Sequence, residues 1–166
     1  MKQHSYSAPW ATSLKVISIV STVLLPAIVW LIPLPEDSSL AARSGIWAIP
    51  LLLLATCALF TVRGYELING VLQVQRLLWK TRIPLSSLTD AEWRHGIFRR
   101  AIRACGNGGL YSFTGWYYQK SIGSFRALAT RTSDAVILTF NDRKPIVVTP
   151  NDPEAFVAAI KVSSVR

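Results

Sequence analysis

Two long stretches without a charged side chain dominate the first third of the 166-residue sequence. Lys15 and Glu36 bracket 20 uncharged residues, and Arg43 and Arg63 bracket 19 more. A helix needs about 20 predominantly apolar residues to cross the hydrocarbon core of a bilayer. We therefore expect two membrane-spanning helices, connected by the proline-rich, acidic segment 33–39.

Each apolar stretch contains a proline, Pro26 in the first and Pro50 in the second. Proline breaks helices in water, but membrane helices tolerate it where neighbouring groups satisfy the freed carbonyl. A cleaved signal peptide is the alternative for the first stretch. The weak small-residue site at 39–41 lies well past the apolar run, and the second helix would still leave the rest of the chain in the cytoplasm.

The hydrophobic period changes after Tyr65. Apolar and polar residues alternate over 71–76, and Asn69-Gly70 joins this run to 65–68, a strong sign of a β-hairpin. The glycine-rich segment 106–109 is expected to form a tight loop that requires positive φ angles. Further short strands are expected at 83–88, 91–94, 110–114, 124–130, 135–140 and 145–149, the last two forming a second hairpin.

The C-terminal end returns to a helical pattern. Asp152-Pro153 is a typical helix start, and Phe156 and Ile160 then share one face. Roughly seven strands and this helix predict a β-sandwich or partly open barrel that the helix closes. The predicted organisation is a two-helix anchor over 1–62 and a cytoplasmic β domain over 63–166.

The distribution of Lys and Arg predicts the orientation in the membrane. Lys2 and Lys15 precede the first apolar stretch, and only Arg43 lies in the connection. Four basic residues follow the second stretch closely: Arg63, Arg76, Lys80 and Arg82. Both termini are therefore expected in the cytoplasm.

Four aromatic residues flank the apolar stretches. Trp30 and Trp47 would lie at the outer membrane interface, and Tyr6 and Trp10 near the inner one, as in an aromatic belt. The alternative is that the tryptophans pack the two helices against each other.

Charge is concentrated in the second part of the chain. The net charge is +9, of which residues 63–166 contribute +8, from 15 basic and 7 acidic residues. Anionic lipid and nucleic acid both attract such a domain, and a membrane tether favours lipid. No aromatic and basic strand motif of the RNA-binding type is present, so we do not expect nucleic acid as the partner.

Cysteine and histidine are too few for a disulfide framework or a zinc site. Cys57 lies inside an apolar stretch, whereas Cys105 lies in the β domain, and the histidines are His4 and His95. Asp90 and His95 offer an acid–base pair without a nucleophile or an oxyanion site. We expect no metal, no cofactor and no catalytic activity.

Three segments of the β domain resemble the bacterial pleckstrin-homology-like (PH) domain family, in its membrane-anchored form with two N-terminal helices. They are Ile83-Pro84-Leu85-Ser86-Ser87-Leu88, the stretch 108–115, and the stretch 148–156. The resemblance implies a seven-stranded bent sandwich with a capping helix, in a protein of the bacterial inner membrane. The first hairpin loop is only Asn69-Gly70, so the basic loop with which eukaryotic relatives bind phosphoinositides is not carried over.

Two groups of side chains are candidate binding residues. Arginine offers paired donors that match phosphate geometry, and Lys80 and Arg82 lie close to the second apolar stretch. The expected lipid or anion-binding residues are Arg94, Arg99, Arg100, Arg103, Lys80 and Arg82. The alternative is that the arginines form an ordinary solvated surface. The expected interaction surface for a protein partner consists of Trp116, Tyr117 and Tyr118.

The sequence thus predicts a membrane-anchored binding or assembly module that contacts anionic lipid and a protein partner. The alternative is an oligomerising scaffold of the inner membrane without specific lipid recognition.

Overall fold

The computed structural model describes residues 4–33, 35 and 38–164, which form three helices and ten strands. The helices are α1 (Thr12–Leu31), α2 (Leu40–Leu59) and α3 (Pro153–Ser164). The strands are β1 (His4–Ser7), β2 (Gly64–Ile68), β3 (Val71–Gln75), β4 (Lys80–Pro84), β5 (Leu88–His95), β6 (Ile102–Gly108), β7 (Phe113–Gln119), β8 (Gly123–Ala129), β9 (Asp134–Phe140) and β10 (Ile146–Val148). Two apolar helices thus precede a mainly-β domain with a C-terminal helix, which confirms the predicted fold class.

Helices α1 and α2 are long and apolar enough to cross a membrane. Each has 20 residues, and their mean hydropathies are 2.1 and 1.6. At 1.5 Å per residue each helix extends about 30 Å, the thickness of a hydrocarbon core. Only 11% of the apolar stretch of α1 and 6% of that of α2 is buried, so neither helix forms the core of the β domain.

The connection between the two helices is described only in part. Of the segment predicted at 33–39, residues 34, 36 and 37 lie outside the described residues. Ser39 caps α2, because its Oγ accepts a hydrogen bond from the Ala42 backbone N–H at 3.2 Å.

The first sheet has four strands in the order β1-β2-β3-β4. The predicted Asn69-Gly70 hairpin joins β2 to β3, and its φ angles of 50° and 73° are those that such a turn requires. Strand β1 was not predicted, since four residues before an apolar stretch show no usable alternation. It pairs antiparallel with β2 and so brings residues from before α1 into the sheet that follows α2.

The second sheet has six strands in the order β5-β9-β10-β8-β7-β6. The predicted hairpin of β9 and β10 is present, and β10 also pairs parallel with β8. The strand predicted at 83–88 is wrong, because a turn interrupts it between β4 and β5. There the Leu88 N–H donates to the Leu85 carbonyl at 3.0 Å.

The loop predicted at 106–109 is wrong, since most of this segment lies in β6, but the positive φ angles expected there are present at Gly106 and Gly109. Gly106 and Gly115 face each other across β6 and β7, with φ angles of 115° and 133°. A Cβ on either would collide with the backbone of the opposite strand, so these glycines permit a close strand approach. The turn comes at 109–112, inside the strand predicted at 110–114, and the Asn107 side chain accepts from two of its backbone N–H groups.

The main hydrophobic core lies between the two sheets and α3. As predicted, Asp152 caps α3, accepting from the Ala155 N–H at 3.0 Å, and Phe156 and Ile160 are fully buried. Tyr65 is buried beside them. Its hydroxyl donates to the Leu128 carbonyl at 2.7 Å and accepts from the Thr149 N–H at 3.0 Å. Burial raises the pKa of Tyr65 to about 12.

A second hydrophobic cluster lies on the other face of the six-stranded sheet. The segment 96–101, which connects β5 to β6, covers this face with Ile97 and Phe98. The Phe98 ring packs against Tyr117 and Phe125, with ring centroids 5.6 and 5.9 Å away. The arginines of this segment are therefore carried on a strap over the sheet.

Candidate functional site at the helix-proximal end of the β domain

The chain passes between the helices and the β domain at one end of both sheets, here called the helix-proximal end. The Ala11 N–H, just before α1, donates to the Thr130 carbonyl at 3.2 Å, and the Ala8 N–H donates to the Arg63 carbonyl at 3.2 Å. The register of the first sheet aligns four residues at this end: Ser7, Gly64, Gln75 and Lys80. Groups near these positions lie closest to the ends of α1 and α2.

Arg76 connects the first sheet to the end of α2. Its guanidinium donates to the carbonyl of Phe60, the C-cap residue of α2, and lies 5.6 Å from the centre of the Phe60 ring. Its Nε donates to Thr81 Oγ1 at 3.3 Å. A cation at the C-terminus of a helix also interacts favourably with the helix dipole. Arg76 thus holds α2 against the β domain.

Arg76 was not identified as a site residue from the sequence. It is only 6% exposed, and burial, together with the nearby Arg126, lowers the pKa of its guanidinium. The signal was present in the strand parity, because Leu72 and Val74 are buried and Arg76 continues the same face. A buried arginine at this position requires acceptors, and the end of α2 supplies one.

The hairpin tip (residues 77–79) between β3 and β4 is apolar and exposed. Leu77, Leu78 and Trp79 are 46%, 76% and 38% exposed. The Trp79 ring packs edge-on against the Phe60 ring, with centroids 5.1 Å apart. The hairpin closes behind it, because the Arg76 N–H donates to the Trp79 carbonyl at 2.9 Å. This tip therefore lies directly beside the C-terminal end of α2.

Basic side chains surround the hairpin tip. Lys80 pairs with Glu66 at 2.7 Å, and its side chain remains 48% exposed. Arg82 lies two residues further along β4, and both it and Arg63 are exposed. No ion pair to Arg63 or Arg82 is found within the described part of the chain. The Arg63 and Arg82 side chains are therefore free to meet anionic groups from outside the protein.

The structure separates the four predicted arginines along the second sheet. Arg94 lies on β5 opposite Ala135, towards the helix-proximal end, and its Nε donates to Glu92 at 2.8 Å. The Arg99 carbonyl accepts from the Gln119 side chain at 3.3 Å, at the opposite end of β7. Gln119 lies six residues further along β7 than Phe113, which corresponds to about 20 Å. Arg99 and the adjacent Arg100 are therefore distant from the helices.

Arg103 takes an intermediate place on β6. It lines a shallow cleft with Gly108, Phe113 and Tyr117, on the side of the second cluster. Burial raises the pKa of Tyr117, and the positive charge of Arg103 acts in the opposite direction. Although its backbone pairs with Tyr117, the Arg103 guanidinium lies over Gly108, opposite Phe113, and so reaches towards the helix-proximal end of the second sheet, away from Arg99.

The turn at 109–112 binds α1. The Tyr111 N–H donates to Ser18 Oγ at 2.9 Å, and the hydroxyls of Tyr111 and Thr22 lie 2.7 Å apart. Ser18 is only 2% exposed, although it lies within the apolar stretch. Tyr111 was expected in a strand, but it has a φ of 65° in this turn. The β domain is thus attached to both helices, through Tyr111 to α1 and through Arg76 to α2.

The predicted aromatic surface divides between two faces of β7. Trp116 and Tyr118 are 43% and 48% exposed, whereas Tyr117 is buried in the second cluster. The Lys144 ammonium lies 5.6 Å from the centre of the Trp116 ring. Ile102, opposite Tyr118 on the edge strand β6, is 67% exposed and extends this apolar surface.

The aromatic residues near the helices have different surroundings. Trp30 is 76% exposed, so it does not pack α1 against α2. The Tyr6 ring packs edge-on against Phe156 at 5.1 Å, and its hydroxyl donates to the Ala155 carbonyl at 3.1 Å. Tyr6 therefore belongs to the β domain and not to an aromatic belt.

The candidate acid–base residues do not assemble as a pair. His95 Nδ1 lies 2.6 Å from Asp134 and not beside Asp90, and the His95 side chain is 73% exposed. Among the described residues, no three His, Cys, Asp or Glu side chains are placed to hold a metal ion. The arrangement at the helix-proximal end is one of cations and exposed apolar groups, which suits contact with an anionic or interfacial partner.

A comparison with protein families finds a match that covers the β domain. The family model described as Bacterial PH domain matches residues 63–164, which is more than half of the chain. No curated protein and no solved structure matches the chain significantly. The matched region runs from the residue at which the helices join the first sheet to the end of α3. The chain belongs to the bacterial PH domain family.

Proposed function

We propose that this chain is a non-enzymatic integral membrane protein whose PH domain is a binding or assembly module at the cytoplasmic face of the bacterial inner membrane. In this proposal α1 and α2 cross the bilayer and both termini are cytoplasmic. The β domain contacts anionic lipid headgroups, and an exposed surface of it binds a protein partner.

The observation that carries the proposal is the set of basic side chains at the helix-proximal end. Arg63 and Lys80 lie at the hairpin tip next to the end of α2, Arg82 follows two residues further along β4, and Arg94 lies at the same end of the second sheet. If α2 crosses the bilayer, these cations lie at the level of the headgroups. Each well-placed Lys or Arg contributes about 1 kcal/mol to the attraction by an anionic surface.

Arg99, Arg100 and Arg103 have a different part in the proposal. Arg99 and Arg100 lie on the strap, about 20 Å along β7 from the helix-proximal end, so they meet lipid only when the domain leans over the bilayer. The Arg103 guanidinium lines a shallow cleft with Gly108 and Phe113, so it lies nearer the helix-proximal end than Arg99 and Arg100 do. We assign the first lipid contact to the residues nearer the helices.

Competitive lipid binding to the full-length protein tests this assignment. The protein is purified in detergent and incubated with equal amounts of phosphatidylglycerol and phosphatidylcholine, and the retained lipids are quantified by mass spectrometry. We expect phosphatidylglycerol to be enriched. The double substitution Arg63→Glu and Arg82→Glu should reduce the enrichment on the order of tenfold, because it reverses two charges.

A matched control is available on the strap. Arg99→Glu with Arg100→Glu changes the net charge by the same amount at the opposite end, and it should leave the enrichment nearly unchanged. Equal retention of the two lipids by the wild-type protein would remove lipid recognition from the proposal. A loss confined to the Arg99 and Arg100 variant would move the contact to the strap.

The second candidate function is an oligomerising scaffold, which the exposed edge of the second sheet favours. Edge strand β6 carries Ile102, and Trp116 and Tyr118 lie beside it on β7. Unpaired strand edges next to apolar side chains are templates for association. The mass of the full-length protein in detergent separates the two candidates, since a strict monomer excludes the scaffold.

A further inference from the structure

We infer that the hairpin tip (residues 77–79) inserts into the interface between headgroups and acyl chains, beside the point where α2 leaves the bilayer. The inference rests on the proposed function in one respect, namely that α2 crosses the membrane. It goes further by assigning lipid contact to apolar side chains and by fixing which end of the β domain faces the bilayer.

The composition of the tip suits this environment. Three consecutive large apolar side chains are exposed at the end of a hairpin, where water-soluble domains ordinarily place polar residues. Tryptophan prefers the membrane interface because its ring combines an apolar body with a polar N–H. Leu77 and Leu78 have no polar group and gain free energy when they leave water.

The position of the tip follows from its contacts with α2. The Trp79 ring packs on Phe60, and the Arg76 guanidinium donates to the Phe60 carbonyl. Phe60 is the C-cap of a 20-residue helix whose length of about 30 Å matches the hydrocarbon core. When α2 spans the core, its C-cap lies at the boundary of that core. The tip therefore lies at the same depth.

The two attachments of the β domain limit its tilt. Tyr111 binds Ser18 and Thr22 on α1, while Arg76 binds the end of α2. Ser18 and Thr22 lie about 9 and 15 Å along α1 from Thr12, so this attachment holds the turn at 109–112 inside the span of α1 and keeps the same end of the domain towards the bilayer. The tip is thus presented to lipid in the resting arrangement of the protein.

Charge and backbone chemistry set the depth of insertion. Arg63, Lys80 and Arg82 flank the tip and favour the phosphate layer over the hydrocarbon core. The turn satisfies one backbone pair internally, through the Arg76 N–H and the Trp79 carbonyl, and its other polar groups need headgroups or water. The bilayer interface meets both requirements, so the tip enters it without crossing the core.

Site-directed fluorescence quenching in the full-length protein tests the inference. Cys57 and Cys105 are replaced by serine, and an environment-sensitive fluorophore is attached through Leu78→Cys. The protein is reconstituted into vesicles of phosphatidylcholine and phosphatidylglycerol, with or without lipids that carry a nitroxide on the acyl chain near the headgroup. A second preparation carries the nitroxide near the end of the acyl chain, where it lies at the depth of position 52. We expect the nitroxide lipids to quench this probe strongly, and a second probe at Leu77→Cys to respond in the same way.

Two matched positions make the outcomes distinct. Ile102→Cys on β6 and Leu52→Cys on α2 replace aliphatic residues that are 67% and 65% exposed, close to the 76% of Leu78. We expect the Leu78 probe to be quenched several-fold more than the Ile102 probe. If the Leu52 probe is quenched but the Leu78 probe is quenched as weakly as the Ile102 probe, the inference about the hairpin tip is wrong. The proposal that α2 crosses the membrane would still hold.

If no nitroxide lipid quenches the Leu52 probe, the proposed membrane function itself fails. If the fluorescence at Leu78 instead changes with the protein-to-lipid ratio and does so without nitroxide lipids, a second copy of the protein covers the hairpin tip. That result would also overturn the inference.

Discussion

Arg76 is the residue on which the junction between the two apolar helices and the β domain depends most. It is nearly fully buried, and its donors are directed to Phe60 and Thr81. Without it, the Phe60 carbonyl keeps a longer hydrogen bond of 3.3 Å from the Ser112 hydroxyl. One buried cation therefore joins the first sheet, the end of α2 and, through the shared carbonyl, the turn that binds α1.

We predict that Arg76→Ala destabilises the full-length protein by about 2 kcal/mol, since a hydrogen bond from a charged group is typically worth about 1.5–3 kcal/mol. The midpoint of thermal unfolding in detergent should fall by roughly 10 °C for a domain of this size. Arg82→Ala is the control, because that side chain is exposed, and it should change stability by no more than about 0.5 kcal/mol. Equal midpoints for both variants would contradict the role given to Arg76.

At the scale of elements, the sequence predicts hairpins and helices better than it predicts the connections between them. Asn69-Gly70, the hairpin of β9 and β10, and the Asp152 cap of α3 were expected from local chemistry and are present. Local chemistry did not reveal that Gly106 faces Gly115, since their close approach depends on which strands pair. The separation of Arg94 from Arg99 has the same origin. The segment between them crosses the second sheet from its helix-proximal end to its opposite end, so residues that are close in sequence lie far apart in space.

Strand β1 is the element whose removal tests the architecture most clearly. It is an edge strand paired only with β2, and successive residues alternate in their hydrogen bonding to that neighbour. Proline at both Ser5 and Tyr6 must therefore remove a ladder hydrogen bond. We predict faster hydrogen–deuterium exchange in β2 of the full-length variant and unchanged exchange in the central strand β9.

The matched control for β1 is Ser5→Ala with Tyr6→Phe, which keeps both backbone N–H groups. This variant loses only the hydrogen bond from the Tyr6 hydroxyl to Ala155 and should exchange like the wild-type protein in β2. Identical exchange in the proline variant and the control would show that β1 does not protect the sheet.

At the scale of the whole molecule, hydrophobic patterning, together with turn and cap residues, predicted the division into two apolar helices and a mainly-β domain with a closing helix. The pattern is informative because a membrane-spanning helix requires a long run without charged residues, whereas a half-buried strand requires alternation of apolar and polar residues. The end of the domain that lies next to the helices was not predictable in this way. It depends on contacts between residues far apart in the chain, such as Tyr111 with Ser18 and Arg76 with Phe60.

The central claim is that the two helices cross the membrane and leave the β domain on the cytoplasmic side. Cysteine accessibility in right-side-out membrane vesicles tests it directly, with a membrane-impermeant maleimide and a Cys57→Ser background. In the first protein the remaining cysteine is Cys105, which is exposed on the β domain. In the second protein Cys105 is also replaced by serine, and Ser38→Cys reports on the connection between the helices. We predict that the maleimide labels the cysteine at position 38 in intact vesicles, and that it labels Cys105 only after the vesicles are permeabilised. Labelling of Cys105 in intact vesicles would contradict the claim.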